Sequence, residues 1–225
     1  MTMTQTDAFP TPRDVPPLNG EPLPLEFLNT VFPVRGELHD GFRSPELLIW
    51  WLRSCRALFT TPIDDCSLGA VDEADVLGFT LLRDAGRRLV DSYVRCGEPD
   101  PWDVAQVNRA AAMSRSLPLL HWAPGERPTV RHWCAATPLV AAQAEVAHAL
   151  IELLAGSSGV EPAPCTAPGC VFFFDRGRSR RQWCSTGCGN RARAARHYAR
   201  HHPAEHHPRS GGPSDHLTTS ASTGR

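Results

Sequence analysis

Apolar side chains recur every three or four residues through most of the first 156 positions of this 225-residue chain. This spacing collects the apolar residues on one face of a helix. It predicts five helices, in the segments LPLEFLNTVF, SPELLIWWLRSCRALF, DEADVLGFTLLRDAGRRLVDSYVRCG, DPWDVAQVNRAAAMSRS and TPLVAAQAEVAHALIELLAG.

Local signals mark where several of these helices begin and end. Ser44 followed by Pro45 is a typical helix start, as is Thr137, while Gly97 and Gly156 end two of the segments. The segment LPLLHWAPGERPTVRHW instead breaks the helical period and predicts one β-hairpin. We therefore expect a mainly α N-terminal domain with one β-hairpin.

Composition divides the chain into five parts. Residues 1–22 form a Pro-rich leader, expected to be disordered, and residues 23–156 form the helical domain. A Gly, Ser and Pro linker at 157–164 leads to a cysteine-bearing module at 165–202. The polar tail at 203–225 has few apolar residues and is expected to be disordered.

Two kinds of targeting segment are not found in the sequence. No apolar run approaches the roughly 18 residues of a membrane span. The N-terminus has neither the basic nor the apolar region of a secretory signal. We therefore expect a cytoplasmic protein, whose cysteines bind metal or stay free more often than they form disulfides.

The formal net charge of −1 conceals a strong asymmetry. Residues 1–164 carry 13 Arg against 21 Asp and Glu, a balance of −8. Residues 165–202 carry 8 Arg against the single acid Asp175, a balance of +7. A small basic module on an acidic domain indicates a polyanionic partner for that module.

The eight cysteines fall into two groups. Four are scattered through the helical domain and are expected to be packed or idle thiols. The others form the pattern C-x4-C-x13-C-x3-C, at Cys165, Cys170, Cys184 and Cys188. Two close pairs of thiolates suit the tetrahedral preference of Zn²⁺, and four thiolates leave no open position for a catalytic water. The pattern predicts one structural zinc ion.

Two rival interpretations of these cysteines are weaker. A disulfide framework conflicts with a reducing compartment, and neither pair has the two-residue gap of a redox dithiol. Between the pairs, VFFFDRGRSRRQW predicts two strands around a turn at Gly177, followed by a helix. The module is thus expected to be a knuckle, a β-hairpin and a helix, with zinc supplying most of its folding energy.

The segments CTAPGC and RRQWCSTGCGNRARAARHYAR resemble the bacterial CGNR zinc-finger family. Its tetrapeptide is Cys188-Gly189-Asn190-Arg191. The helical domain resembles that family's usual N-terminal partner, the ABATE domain, through PLEFLNT, SPELLIWWL and ALIELLAG. The resemblance covers residues 23–202 and implies a stress-responsive transcription regulator whose finger binds DNA. The three-residue gap between Cys184 and Cys188 departs from the gap of four in many relatives.

A helix from Thr186 to His201 separates its side chains into two stripes. One stripe begins with the zinc ligand Cys188, continues through alanines and must face inward. The other carries a row of guanidinium groups suited to phosphates or base edges. Its members are Gly189, Arg193, Arg196 and Arg200, and the preceding turn adds Arg178, Arg180 and Arg181, with Arg176, as candidate DNA contacts.

Five residues receive further predicted roles. Arg191 projects toward the apolar side, so we expect it to brace the module, as we do for Asn190. Gly189 is expected to let the backbone approach a phosphate. In the helical domain, Asn29 and Thr30 interrupt an apolar stretch and are candidate ligand contacts or a simple cap and turn.

These observations support a transcription regulator whose helical domain senses a small-molecule effector or dimerises, while its zinc module docks an arginine helix on duplex DNA at the nucleoid. The alternative is a non-catalytic adaptor that binds an acidic protein or RNA, or clamps onto its own acidic domain. An enzyme is not expected, because the sequence has no nucleophile elbow, phosphate loop, dinucleotide fingerprint or paired catalytic carboxylates.

Overall fold

The structure is a computed structural model that describes residues 14–114, 116–177 and 181–201. It places seven α-helices in this part of the chain: α1 (Leu23–Leu28), α2 (Pro45–Ser54), α3 (Asp65–Leu68), α4 (Glu73–Val94), α5 (Pro101–Ala112), α6 (Pro138–Leu154) and α7 (Thr186–His201). Six strands form three separate antiparallel pairs: β1 (Val31–Val34) with β2 (Glu37–Asp40), β3 (Ser116–His121) with β4 (Thr129–Cys134), and β5 (Pro162–Pro164) with β6 (Phe173–Asp175).

The N-terminal domain is built around the 22-residue helix α4, which packs against α1, α2, α5 and α6. Its core is apolar and includes a cluster of aromatic rings with centroids 5.3–6.3 Å apart, formed by Phe27, Phe42, Trp51 and Phe79. The mainly α fold with a small C-terminal cysteine module is therefore confirmed. Among the described residues, no helix is long and apolar enough to cross a membrane.

The helix starts follow the local signals in the sequence. The side chain of Asp72 accepts bonds from the N–H groups of Ala74 and Asp75, which satisfies two donors of the first turn of α4. Thr137 caps α6 and Asp100 caps α5, each by accepting one backbone N–H. Ser44 stands at the predicted start of α2, although its side chain makes no capping bond there.

The predicted hairpin of the N-terminal domain is present as β3 and β4, and the described residues contain a second one, β1 and β2, that the sequence did not predict. The helical pattern of LPLEFLNTVF ends at Leu28, and Val31 begins the strand β1 instead of continuing the helix. Arg35 and Gly36 form the turn to β2 with φ of 53° and 94°. Such values at both positions are typical of a two-residue hairpin turn. Only Phe32 of β1 is fully buried, so the apolar alternation of this hairpin is short.

The C-terminal module contains the predicted hairpin and helix, but different residues form the hairpin. Strand β6 pairs with β5, which lies within the predicted linker, and the two strands flank the Cys165–Cys170 knuckle. The described residues after Gly177, from Arg181 to Trp183, form no strand. The helix α7 has the predicted bounds, Thr186–His201.

Candidate metal centre and basic helix

The four cysteines of the C-x4-C-x13-C-x3-C pattern meet at one point. All four Sγ atoms lie within 4.8 Å of one another. The Sγ of Cys170 lies 3.7 Å from those of Cys184 and Cys188, and the latter two are 3.4 Å apart. Zn–S bonds of about 2.3 Å in a tetrahedron give an S–S edge of about 3.8 Å. The donor set and its dimensions therefore fit one structural zinc ion.

Two short backbone turns present these ligands. In the knuckle, the N–H of Cys165 donates to the carbonyl of Phe172 at 2.8 Å, and the N–H of Cys170 donates to Ala167 at 3.0 Å. Gly169 permits the tight return with a φ of +71°. At the other side, the hydroxyl of Ser185 accepts from the N–H of Cys188 at 3.2 Å, so the first turn of α7 delivers the last ligand.

The electrostatics of three of these thiols also favour a bound cation. Hydrogen bonds from the thiols of Cys170 and Cys184 lower the pKa of Cys165 to about 2. Because the thiol of Cys170 donates a hydrogen bond to Cys165, its pKa is raised to about 11. The pKa of Cys184 is raised for the same reason. One negative charge in the cluster thus opposes the next, and a divalent cation is what allows all four thiolates to exist together.

Arg191 lies beside the four cysteines. Its guanidinium donates to the Sγ of Cys188 at 3.1 Å. A hydrogen bond to a coordinating atom orients the ligand and spreads its charge. Arg191 lies about one turn of α7 after Cys188. The contact between them supports a bracing role for Arg191.

Two arginines of the predicted stripe flank the indole of Trp183. The guanidinium carbons of Arg193 and Arg196 lie 5.8 and 5.7 Å from the ring centroid. Arg193 also donates to the Oδ1 of Asn190 at 2.6 Å. The side chains of Arg193 and Arg196 nevertheless remain exposed, as does that of Arg200 one turn further along α7. The helix thus presents a row of three exposed arginines.

Two predicted DNA contacts are placed elsewhere by the structure. Gly189 is buried, and a Cβ on it would stand 3.0 Å from the indole of Trp183, so it makes room for that ring and offers no open backbone to a phosphate. Arg181 is turned inward: it bonds to Glu21 at 2.5 Å and to the carbonyl of Cys184 at 3.4 Å. Arg178 and Arg180 lie outside the described residues, and Arg176 is exposed.

Asn29, a predicted ligand candidate, instead joins the two modules. Its Nδ2 donates to the carbonyl of Phe173 at 2.8 Å, and its Oδ1 accepts from the N–H of Phe173 at 2.9 Å. Asn29 is 1% exposed. Thr30 is also buried, and its hydroxyl donates to the carbonyl of Phe27 at 2.8 Å, which closes the end of α1. In this structure both side chains have partners within the protein.

Glu21 makes the second polar contact between the modules. It is buried, and it accepts the N–H of Asp175 at 3.1 Å as well as the bond from Arg181. Pro162 and Pro164 lie opposite Asp175 and Phe173 in β5 and have no N–H to give. The outer edge of β6 is therefore completed by Glu21 and Asn29, which explains why the described residues 181–183 do not pair with β6.

Arg87 of α4 and the aromatic residues extend this interface. The guanidinium of Arg87 donates to the carbonyls of Leu28 and Val171 at 2.5 and 3.0 Å and lies 5.5 Å from the ring of Phe173. Phe173 belongs to the core of the N-terminal domain, while Phe32 of β1 belongs to the small core under the cysteines. No periodic pattern in the sequence predicts these contacts, because each joins isolated positions far apart in the chain.

The fold and the site define a helical domain fused to a zinc finger with a basic helix. The N-terminal part matches the ABATE family, described as "Putative stress-induced transcription regulator", over residues 21–157. Residues 163–201 match the CGNR zinc finger. Because the first match spans more than half of the chain, the protein belongs to the ABATE family, and the order of the two matches confirms the resemblance in the sequence. None of the curated proteins matches the chain.

Proposed function

We propose that this protein is a transcription regulator whose zinc finger docks α7 on duplex DNA. The zinc ion holds the first turn of α7, and the N-terminal domain senses an effector or joins two copies of the chain. Contacts to phosphate would then come from the exposed arginines of α7, with Arg176, Arg178 and Arg180 close by in the sequence.

The observation that carries this proposal is the exposed row of Arg193, Arg196 and Arg200. These residues line a shallow depression together with His197, and α7 contains no acidic residue. Among the described residues, the three arginines form no ion pair with the acidic N-terminal domain. A rigid helix about 10–12 Å in diameter fits a major groove about 12 Å wide.

Salt dependence measures the number of arginine–phosphate contacts. Each neutralised phosphate contributes a slope of about −0.9 to a plot of log K against log salt, so three arginines give about −2.7 per finger. Fluorescence anisotropy of the full chain with zinc, on a pool of random duplexes, supplies this slope. A selection from the same pool then identifies any preferred sequence.

Arg196→Ala is the informative variant, and Arg109→Ala is its matched control. Both substitutions remove one exposed arginine, but Arg109 lies on α5 of the N-terminal domain. We expect Arg196→Ala to weaken DNA binding and reduce the salt slope by about 0.9, with unchanged zinc content and melting temperature. Equal affinities of the two variants, or no binding of the wild type at low salt, would refute the proposal and favour the adaptor.

A further inference from the structure

Trp183 lies between the four cysteines and the exposed arginines of α7. It precedes Cys184 in the chain, is half-buried, and packs against the small core under the cysteines. The guanidinium carbons of Arg193 and Arg196 lie over its ring, 5.8 and 5.7 Å from the centroid. One indole, anchored in the core of the zinc finger, is therefore shared by two exposed arginines.

Two residues of the CGNR tetrapeptide support this arrangement. A Cβ on Gly189 would lie 3.0 Å from the indole, so the missing side chain leaves room for the ring beside the helix. The Oδ1 of Asn190 accepts a hydrogen bond of 2.6 Å from the guanidinium of Arg193. The Nε of Arg196 donates to the carbonyl of Ala192 at 3.3 Å. Each of the two guanidinium groups is thus restrained by the ring and by one hydrogen bond.

The two restrained arginines keep donors available for a ligand. Stacking on an aromatic ring occupies the face of a guanidinium, whereas its N–H donors point outward in the plane of the group. A long side chain that is already held also loses less rotational freedom on binding. Arg200, one turn further along α7, stacks on no ring in the described part of the chain. Two arginines of the exposed row are therefore ordered in advance by an aromatic ring and the third is not.

We infer that Trp183 is a positioning residue for DNA binding, which holds Arg193 and Arg196 in the conformation that contacts the duplex. This role rests on the DNA binding proposed above. The indole carries no charge, so its removal lowers the affinity but leaves the number of neutralised phosphates, and with it the salt slope, unchanged. Removal of an arginine lowers both quantities. A loss of affinity at constant slope therefore distinguishes positioning from a direct phosphate contact.

Two substitutions separate the aromatic ring of Trp183 from its apolar bulk. Trp183→Phe keeps a ring and Trp183→Leu does not, while both are smaller than tryptophan and share any loss of packing. Fluorescence anisotropy of the full-length, zinc-loaded variants on the pool of random duplexes measures affinity and salt slope.

We expect Trp183→Leu to bind about 5- to 30-fold more weakly than the wild type at an unchanged salt slope, since two cation–π contacts are lost. Trp183→Phe should lose about threefold or less, because phenylalanine retains a weaker contact of the same kind. Trp102→Leu, at an exposed position on α5, is the control and should bind as the wild type does. Equal affinities of the two Trp183 variants, or tighter binding by Trp183→Leu, would overturn the positioning role and leave DNA binding intact. A wild type that does not bind would refute the proposed function and this role together.

Nuclear magnetic resonance of the wild type keeps the role testable if the Trp183 variants lose zinc. Protons held over an aromatic ring resonate upfield, so the side-chain Cδ protons of Arg193 and Arg196 should lie upfield of those of Arg200 in the free, zinc-loaded protein. The upfield shifts should persist when duplex DNA is added, because the same conformation is bound. Shifts equal to those of Arg200 in the free protein, or their return to those values on binding, would overturn the role.

Discussion

Replacing Asn29 by alanine tests whether the zinc finger and the N-terminal domain fold as one unit. The substitution removes both bonds to Phe173 and leaves its N–H and C=O groups without their partner in a buried interface. A buried group left unsatisfied costs about 1–3 kcal/mol, so two such groups give about 2–6 kcal/mol. For a folded unit of this size, 1 kcal/mol corresponds to about 2–4 °C in melting temperature. We therefore expect the melting temperature to decrease by roughly 10 °C.

Thermal unfolding of the zinc-loaded protein, followed by circular dichroism, measures the change. The control is Asn108→Ala, which removes the same amide group from an exposed position on α5 and should change stability by no more than about 0.5 kcal/mol. Hydrogen exchange adds a local readout, because the amide of Phe173 should lose protection in Asn29→Ala. If the two variants melt together and Phe173 stays protected, the interface does not couple the modules, and the energetic reasoning fails.

Two further predictions concern Arg191 and Asp40. Arg191→Ala should release zinc to a chelator faster than Arg193→Ala, because of these two arginines only Arg191 bonds to a ligand sulfur. A colorimetric zinc indicator measures the two rates, and equal rates would refute the bracing role of Arg191. Burial alone would raise the pKa of Asp40, but hydrogen bonds from the buried Arg83 outweigh it and hold that pKa below 3.8. The contribution of this ion pair is therefore present above the unfolded pKa and is lost as the pH falls through the folded one. Asp40→Asn should destabilise the protein by about 1–3 kcal/mol at pH 7, since the buried Arg83 loses one charged acceptor and keeps Asp84 as its ionic partner. The difference from the wild type in denaturant titrations should shrink below pH 4; a difference independent of pH would contradict this assignment.

The zinc finger is in close contact with the N-terminal domain and is not a freely tethered module. Cys165 follows β5, which packs against α4, and the outer edge of β6 is occupied by the side chains of Asn29 and Glu21. A tethered finger would orient α7 independently of its neighbour. Here the orientation of α7 follows from the interface through Asn29, Glu21 and Arg87.

The zinc site and the helices were within reach of the sequence alone. Helix α7 has its predicted bounds because helical periodicity and the N-terminal turn are local properties of Thr186–His201. The four cysteines identify their metal by number and spacing, since four thiolates close together require a cation such as zinc. The exposed arginines of α7 follow from the same periodicity once Cys188 fixes the inner face.

The contacts between the modules were decided only by the tertiary structure. Asn29 and Phe173 are 144 positions apart, and Glu21 and Arg181 are 160 apart. A buried asparagine that completes a strand edge looks, in the sequence, like any polar residue after a short helix. The partner of β6 depended on which groups reached its outer edge, and that edge is filled by residues of a distant segment. Periodicity and spacing therefore determined the elements and the metal, while packing determined that the finger is held in place by the N-terminal domain.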